Sequence, residues 1–94
     1  MRTIERSSAF KRDYRRVKTN PRHSKDLEAL FIAAVSLLTM DQPLPESNYD
    51  HPLSGQWVGY RECHLKPDLL LVYRKLGADI LKLARIGSHS ELFG

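Results

Sequence analysis

Apolar residues recur at two different periods along this chain, and the change of period divides it. Thr3 to Arg6 reads as a short opening strand. Ser7 or Ser8 then stands where a side-chain oxygen can accept a hydrogen bond from a free amide of a helix's first turn. Phe10, Tyr14 and Val17 follow at i, i+4 and i+7, which puts them on one helical face. Lys11, Arg12, Arg15, Arg16 and Lys18 fall on another face. Asn20-Pro21 marks the turn that ends this helix. Ser24 and Asp26 sit at the start of a second helix, with a carboxylate near the positive end of its dipole. Leu27, Leu30, Phe31, Ala34 and Leu38 repeat at helical spacing up to about Met40, a core-facing stripe. Pro43 and Pro45 stop that helix and open a polar loop running to Gln56.

Beyond the loop the pattern becomes that of strands. Trp57 to Leu65 is rich in strand-favouring residues, and Pro67-Asp68 makes a turn. Leu69 to Tyr73 is continuously apolar, as expected of a central strand covered on both faces. Leu76-Gly77-Ala78-Asp79 is a hairpin-like connection, Ile80 to Ile86 a last strand, and Gly87 to Gly94 a short tail. The order β-α-α-β-β-β predicts an α+β domain, with two N-terminal helices packed on an antiparallel sheet. Ninety-four residues are enough for one such domain, spanning 1–94, and too few for two.

Composition narrows the setting. With 41% hydrophobic and 28% charged residues, a packed core is expected. No apolar run approaches the ~18–20 residues that span a bilayer, and no apolar stretch follows the charged N-terminus as in a signal peptide. The lone cysteine, Cys63, can form no internal disulfide and reads as a small buried strand residue. A cytoplasmic protein is therefore expected. Charge is unevenly placed: Met1 to Lys25 holds nine Lys/Arg against two Asp/Glu, and the remainder six against nine. The positive excess of the first quarter suggests a polyanionic partner, nucleic acid or an acidic protein, although a solvated helix face would look the same.

Two stretches, Asp50 to Asp68 and Arg85 to Phe93, are dense in functional side chains and contain three of the four histidines. Each falls where a loop or strand end can be held by a rigid sheet. Singly, these residues have plain structural explanations: turn residues at Asp50 and Asp68, backbone freedom at Gly87, a core position for Trp57. Together they match what RNA cleavage requires. The substrate supplies its own nucleophile, the ribose 2′-hydroxyl. The enzyme must remove that proton, stabilise charge on phosphorus, and protonate the departing 5′ oxygen. Imidazoles serve as acid or base near neutral pH, a carboxylate orients an imidazole or acts as the base, and an arginine fork clamps phosphate. His51, His64, Asp68, Arg85 and His89 supply all three types. The same side chains could ligate zinc or iron, but no His-Glu-x-x-His or Cys-x-x-Cys spacing is present. There is likewise no Gly-rich phosphate loop and no dinucleotide fingerprint.

Asp50-His51-Pro52-Leu53, Gly55, Trp57, Gly59-Tyr60-Arg61, His64, Pro67-Asp68 and Tyr73 resemble the signature of the YafQ branch of the RelE/ParE toxin superfamily. So does the ending Arg85, Gly87, His89, Leu92-Phe93-Gly94. The resemblance implies a RelE-like fold and a ribosome-dependent, metal-independent endoribonuclease that needs no cofactor and acts in the ribosomal A site. Cleavage would leave a 2′,3′-cyclic phosphate and a free 5′-hydroxyl. It assigns His51, His64, Asp68 and His89 to the acid–base set, Arg85 to phosphate stabilisation and Phe93 to positioning a nucleotide. His89 would be the general acid, with the base left open among His64, His51 and Asp68. Glu62, where some relatives carry Asp, would be at most auxiliary, and Trp57 would shape the site from below. Lys11, Arg12, Arg15, Arg16, Lys18 and Arg22 would contact ribosomal RNA or an acidic, DinJ-like antitoxin, with the toxin monomeric when alone and hetero-oligomeric with its antitoxin. A ParE-like gyrase inhibitor and a non-catalytic RNA- or partner-binding module are the alternatives.

Overall fold

In a computed structural model describing residues 1–94, five strands form one sheet in the order β1-β5-β4-β3-β2. The strands are β1 (Thr3–Arg6), β2 (His51–Pro52), β3 (Arg61–Lys66), β4 (Leu69–Leu76) and β5 (Ile80–Gly87). The helices are α1 (Ser8–Thr19), α2 (Pro21–Ser24), α3 (Leu27–Thr39) and α4 (His89–Phe93). No helix is long and apolar enough to cross a membrane.

Ser7 caps α1, its hydroxyl accepting from the Phe10 amide and donating to the Ala84 carbonyl. Phe10 and Val17 are buried as their spacing predicts, but so is Asp13, the lone acid on that face. Pro21 does not merely end α1. It opens the single turn α2, where a missing amide proton costs nothing, and the Asn20 side chain accepts from Arg22 N. Asp26 precedes α3 with φ at 58°, its carboxylate at the positive end of the helix as expected but without a side-chain capping bond. Of the predicted α3 stripe, Leu27, Ala34 and Leu38 are buried, Phe31 is half-buried, and Leu30 faces outward.

The sheet is not antiparallel throughout. β2, β3, β4 and β5 pair antiparallel, but β1 runs parallel to β5, Ile4 opposite Leu81. Parallel pairing is open to β1 because almost the whole chain lies between it and β5, so no hairpin constrains their direction. A second departure concerns Trp57. The predicted strand from Trp57 begins only at Arg61, and Gly55–Trp57 forms a turn of 3₁₀ helix. The chain reverses there through Gly59, at φ 93°. Trp57 is consequently half-buried, not a core residue. The predicted tail is mostly α4, closed by a reciprocal cap: Ser88 Oγ accepts from Glu91 N, and the Glu91 carboxylate accepts from Ser88 N.

The main core lies between the helices and one face of the sheet, where Phe10, Val17, Leu38, Leu71, Tyr73, Leu81, Leu83 and Ile86 meet. Cys63 belongs to it, and burial, with the charges of Asp50 and Glu62, pushes its thiol up to about 12, so it is unreactive. The opposite face carries a smaller apolar floor of Leu70, Val72, Ala84 and Leu92, edged by Leu53, Trp57, Tyr60 and Phe93. β4 is thus covered on both faces, as its apolar run predicts.

Candidate active site

The face of the sheet away from α1 and α3 collects the functional side chains, and strand register explains how. Opposed residues on neighbouring strands share a face. His51 opposes Glu62, Glu62 opposes Val72, and Val72 opposes Arg85, a single row across four strands. His64, opposite Leu70, which in turn opposes Gly87, begins the next row. His51 and Arg85 thus lie three strand spacings apart, ~14 Å at about 4.8 Å each.

Glu62 is the centre of the row. Its side chain is only 4% exposed, and its Oε1 lies 3.7 Å from His51 Nε2 and 3.5 Å from His64 Nε2. The opposite ring nitrogens face backbone carbonyls: His51 Nδ1 is 2.7 Å from the Tyr49 oxygen, and His64 Nδ1 3.3 Å from the Pro67 oxygen. A carbonyl oxygen can only accept, so both Nδ1 atoms carry hydrogens. Each neutral ring therefore has its lone pair on Nε2, the atom turned toward Glu62. A proton taken up by either Nε2 lands beside a buried carboxylate.

Signature residues hold this arrangement from behind. The Asp50 carboxylate accepts from Tyr73 Oη at 2.6 Å and from Arg61 Nε and Nη2 at 3.3 and 3.2 Å. That network fixes the backbone immediately before His51. Burial and the neighbouring Asp50 carboxylate push the Tyr73 hydroxyl far up, keeping it a donor. Tyr49 itself sits in the left-handed region, at φ 47° and ψ 45°, an uncommon conformation for a residue with a bulky side chain. The twist aims its carbonyl at His51.

His89 opens α4 and faces the same space from the other side. A cavity of about 220 Å³ is lined by His51, Glu62, His89, Phe93, Leu53, Ser54 and Trp57. The His89 and Phe93 rings are 5.4 Å apart, and the Phe93 ring meets Trp57 edge-on at 6.2 Å. Trp57 lines the cavity beside Phe93. Asp68 contacts His89 through the backbone: its Oδ1 accepts from His89 N at 3.2 Å, and its Oδ2 is 3.7 Å from Arg22. It anchors the first turn of α4 and does not touch an imidazole among its bonded partners.

Arg85 is oriented by Asp13 of α1. Arg85 Nε and Nη2 donate to the two carboxylate oxygens at 2.6 and 3.0 Å, and the Ile86 amide donates to Oδ2 at 3.2 Å. Burial alone would raise the Asp13 carboxyl, but the hydrogen bonds from Arg85 and Ile86 and the charges of Arg85 and Arg16 outweigh it and lower it. Arg16 joins Asp13 at 3.2 Å to Glu91 at 3.2 Å, and Glu91 caps α4. The basic helix and the His89 helix are therefore linked by alternating charges. Of the predicted RNA-contacting residues, Lys11, Arg12, Arg15 and Lys18 are exposed with no carboxylate within 4 Å, whereas Arg16 and Arg22 are engaged as described.

The structure thus brings His51, His89 and Phe93 around one cavity, with His64 joined to them through Glu62. It ties Asp68 and Arg85 to the edges of the same face. Glu62, auxiliary at most by resemblance, lies between two imidazoles, and its i, i+2 spacing with His64 on a strand puts those two on one face. Asp13 and Tyr49 join the site only through the fold. A single carboxylate on the apolar face of a basic helix was a legible sign of the first; nothing in the sequence marked the left-handed backbone of the second. No three His, Cys, Asp or Glu side chains are grouped so as to hold a metal ion.

Comparison with known proteins converges on one family. A family model described as "Bacterial toxin of type II toxin-antitoxin system, YafQ" matches residues 2–94. The "mRNA interferase toxin YafQ" of Escherichia coli K12 is 40% identical over 93 residues, 99% of this chain and 97% of that protein. A copper-bound mutant toxin from Helicobacter pylori superposes with a TM-score of 0.88 at 36% identity, covering 99% of this chain and 100% of that one. The toxin in the E. coli DinJ-YafQ toxin–antitoxin complex does so at 0.82 and 37% identity, covering 99% and 98%. The match runs from the second residue to the last and includes the His-bearing face just described. The chain belongs to the YafQ family of bacterial type II toxin–antitoxin toxins.

Proposed function

We propose that this chain is a ribosome-dependent endoribonuclease that cuts messenger RNA in the cytoplasm, using His and carboxylate groups and no metal, and that an acidic, DinJ-like antitoxin restrains it. This rests on the pair of imidazole Nε2 atoms converging on the buried Glu62, with His51, Glu62 and His89 lining one cavity. Names borne by relatives, an mRNA interferase and a toxin crystallised with DinJ, support the substrate and partner.

In this reading, His64 or His51 takes the proton from the 2′-hydroxyl on Nε2, and the imidazolium so formed is stabilised by Glu62. The 2′ oxygen forms a bond to phosphorus as the bond to the 5′ oxygen breaks, and His89 protonates that oxygen. The products are a 2′,3′-cyclic phosphate and a 5′-hydroxyl. Arg85 presents its remaining guanidinium hydrogens to the charge gathering on the phosphoryl oxygens. Asp68 acts by holding α4, and Phe93 positions a nucleotide. The residues present suffice for each proton transfer, which is why no metal is invoked.

The test is primer extension on a defined message, with and without translating ribosomes, in buffer containing a chelator of transition metals and magnesium replenished. Cuts at codon-spaced positions only when ribosomes translate are expected. An intact message under demonstrated translation would end the nuclease reading; cleavage of free RNA at equal rates would remove ribosome dependence.

The unpaired cations of α1 provide the phosphate contacts. Four such contacts give a slope of log affinity against log salt of roughly −3 to −4, and Arg15→Gln should reduce it by about 1. Ribosome binding measured from low to moderate salt checks this, and a flat response would exclude the electrostatic contact.

A further inference from the structure

His51 lines two cavities. One is the His89/Phe93 cavity. The other is a larger groove of about 860 Å³ on the far side of His51 and His64, walled by Leu30, Ala33 and Leu37 of α3. Tyr49 stands in this groove 68% exposed, its ring meeting the His64 ring edge-on at 5.6 Å. It is the one large exposed aromatic of the chain. We infer that this groove is a nucleobase subsite: it takes the base of the nucleotide upstream of the cut, the one whose 2′-hydroxyl attacks, against the Tyr49 ring.

The assignment follows from where the protons go, and it rests on the nuclease reading above. His89 protonates the 5′ oxygen of the downstream nucleotide, so that nucleotide lies on the Phe93 side. The imidazoles that receive the 2′ proton face the upstream ribose, whose base is then carried past His51 and His64 toward Tyr49. An aromatic face suits any base, since every base has a π-face to stack. Leu30, Ala33 and Leu37 of α3 supply an apolar wall, and Lys66, which also lines the groove while its Nζ donates to the His23 carbonyl at 2.9 Å, adds a positive charge. An RNA strand, with both bases and phosphates, fits this mixture.

Backbone and ring contributions of Tyr49 separate cleanly by substitution. Tyr49→Gly keeps the left-handed backbone, hence the carbonyl that orients His51, and removes only the ring. On message-programmed ribosomes it should raise KM by about 5- to 150-fold, the range that base–aromatic stacking supplies, with kcat within roughly 3-fold. Tyr49→Trp should restore KM. A message carrying an abasic nucleotide immediately upstream of the cut should already have lost that factor with the wild type, and Tyr49→Gly should add nothing further. An unchanged KM in Tyr49→Gly, or an equal penalty on the abasic message, overturns the subsite. So does weakened antitoxin binding with KM intact, which would make the ring part of a protein interface. If wild type cuts nothing, the nuclease reading falls by itself. The subsite is then judged on an uncleavable message with a 2′-deoxy nucleotide at the cut, whose affinity Tyr49→Gly must lower by the same factor.

Discussion

Replacing His89 with alanine is expected to slow message cleavage by about 10²–10⁴-fold, the range a positioned general acid contributes. Stability should barely move. His89 is exposed at the first position of α4, and the groups that hold that turn, the Ser88–Glu91 cap and the Asp68 bond to the His89 amide, are untouched by the substitution. A change within about 0.5 kcal/mol is typical of such surface sites. Single-turnover cleavage on programmed ribosomes reads the rate, and thermal melting reads the fold. A substrate with sulfur in place of the departing 5′ oxygen sharpens the result. A thiolate leaves without a proton, so His89→Ala should cut it nearly as fast as the wild type does. A loss below 10-fold on the normal message, or a sulfur substrate that shows the full defect, would take the proton-donor role away from His89.

The other large effect is expected at Asp13, through stability and activity together. Asp13 is 2% exposed and joins Arg85, Arg16 and the Ile86 amide. Alanine there strands a half-buried guanidinium and a buried amide at once. Removing one partner of a buried pair costs about 3–5 kcal/mol. The Arg85 side chain is 27% exposed and can partly rehydrate, so about 2–3 kcal/mol is the better expectation. For a domain of this size that lowers Tm by roughly 8–24 °C. The pH dependence has a definite sign. The Asp13 carboxyl is lowered in the folded chain, so its stabilisation is full above the ordinary carboxylate value and is lost as pH falls through the folded value. The protein should therefore lose stability below about pH 4, and Asp13→Asn should flatten that part of the profile while lowering the plateau. Cleavage should fall as well, because Arg85 loses the partner that aims it. A penalty under 1 kcal/mol in chemical denaturation, with the acid limb unchanged, would show that Asp13 is not the anchor its geometry indicates.

Element type followed well from sequence wherever a period ran for several turns or strand residues. Phe10–Val17 and Leu27–Leu38 announced their helices, and Leu69–Tyr73 its doubly covered strand. What periodicity could not supply was partnership between distant segments. The direction of β1 depends on β5, a partner at the other end of the chain, so a local reading defaulted to antiparallel. Trp57 was assigned to a strand and the core by its residue type, but Gly55 and Gly59 on either side turn the backbone there. The site shows the same division. His51, His64, His89 and Phe93 were legible as residue types clustered near a recurring signature. That Glu62 sits between two imidazoles became visible only through the His51–Glu62 register, and that Arg85 answers to Asp13 only through packing of α1 on β5.

The pairing of β1 with β5 also sets when the protein can come into being. Ser7 bonds to Ala84 across 77 residues of sequence, so the first strand must wait until β5 has been made. At ordinary synthesis rates of about 5–20 residues per second, that delay is roughly 4–15 s. Throughout it the apolar face of α1, with Phe10 and Val17, has no sheet to cover it. His89 and Phe93 follow β5 directly, and the cap that fixes their helix is made from the same segment. Until β5 and α4 have been made, the sheet cannot close on α1 and the cavity between His51 and His89 cannot form.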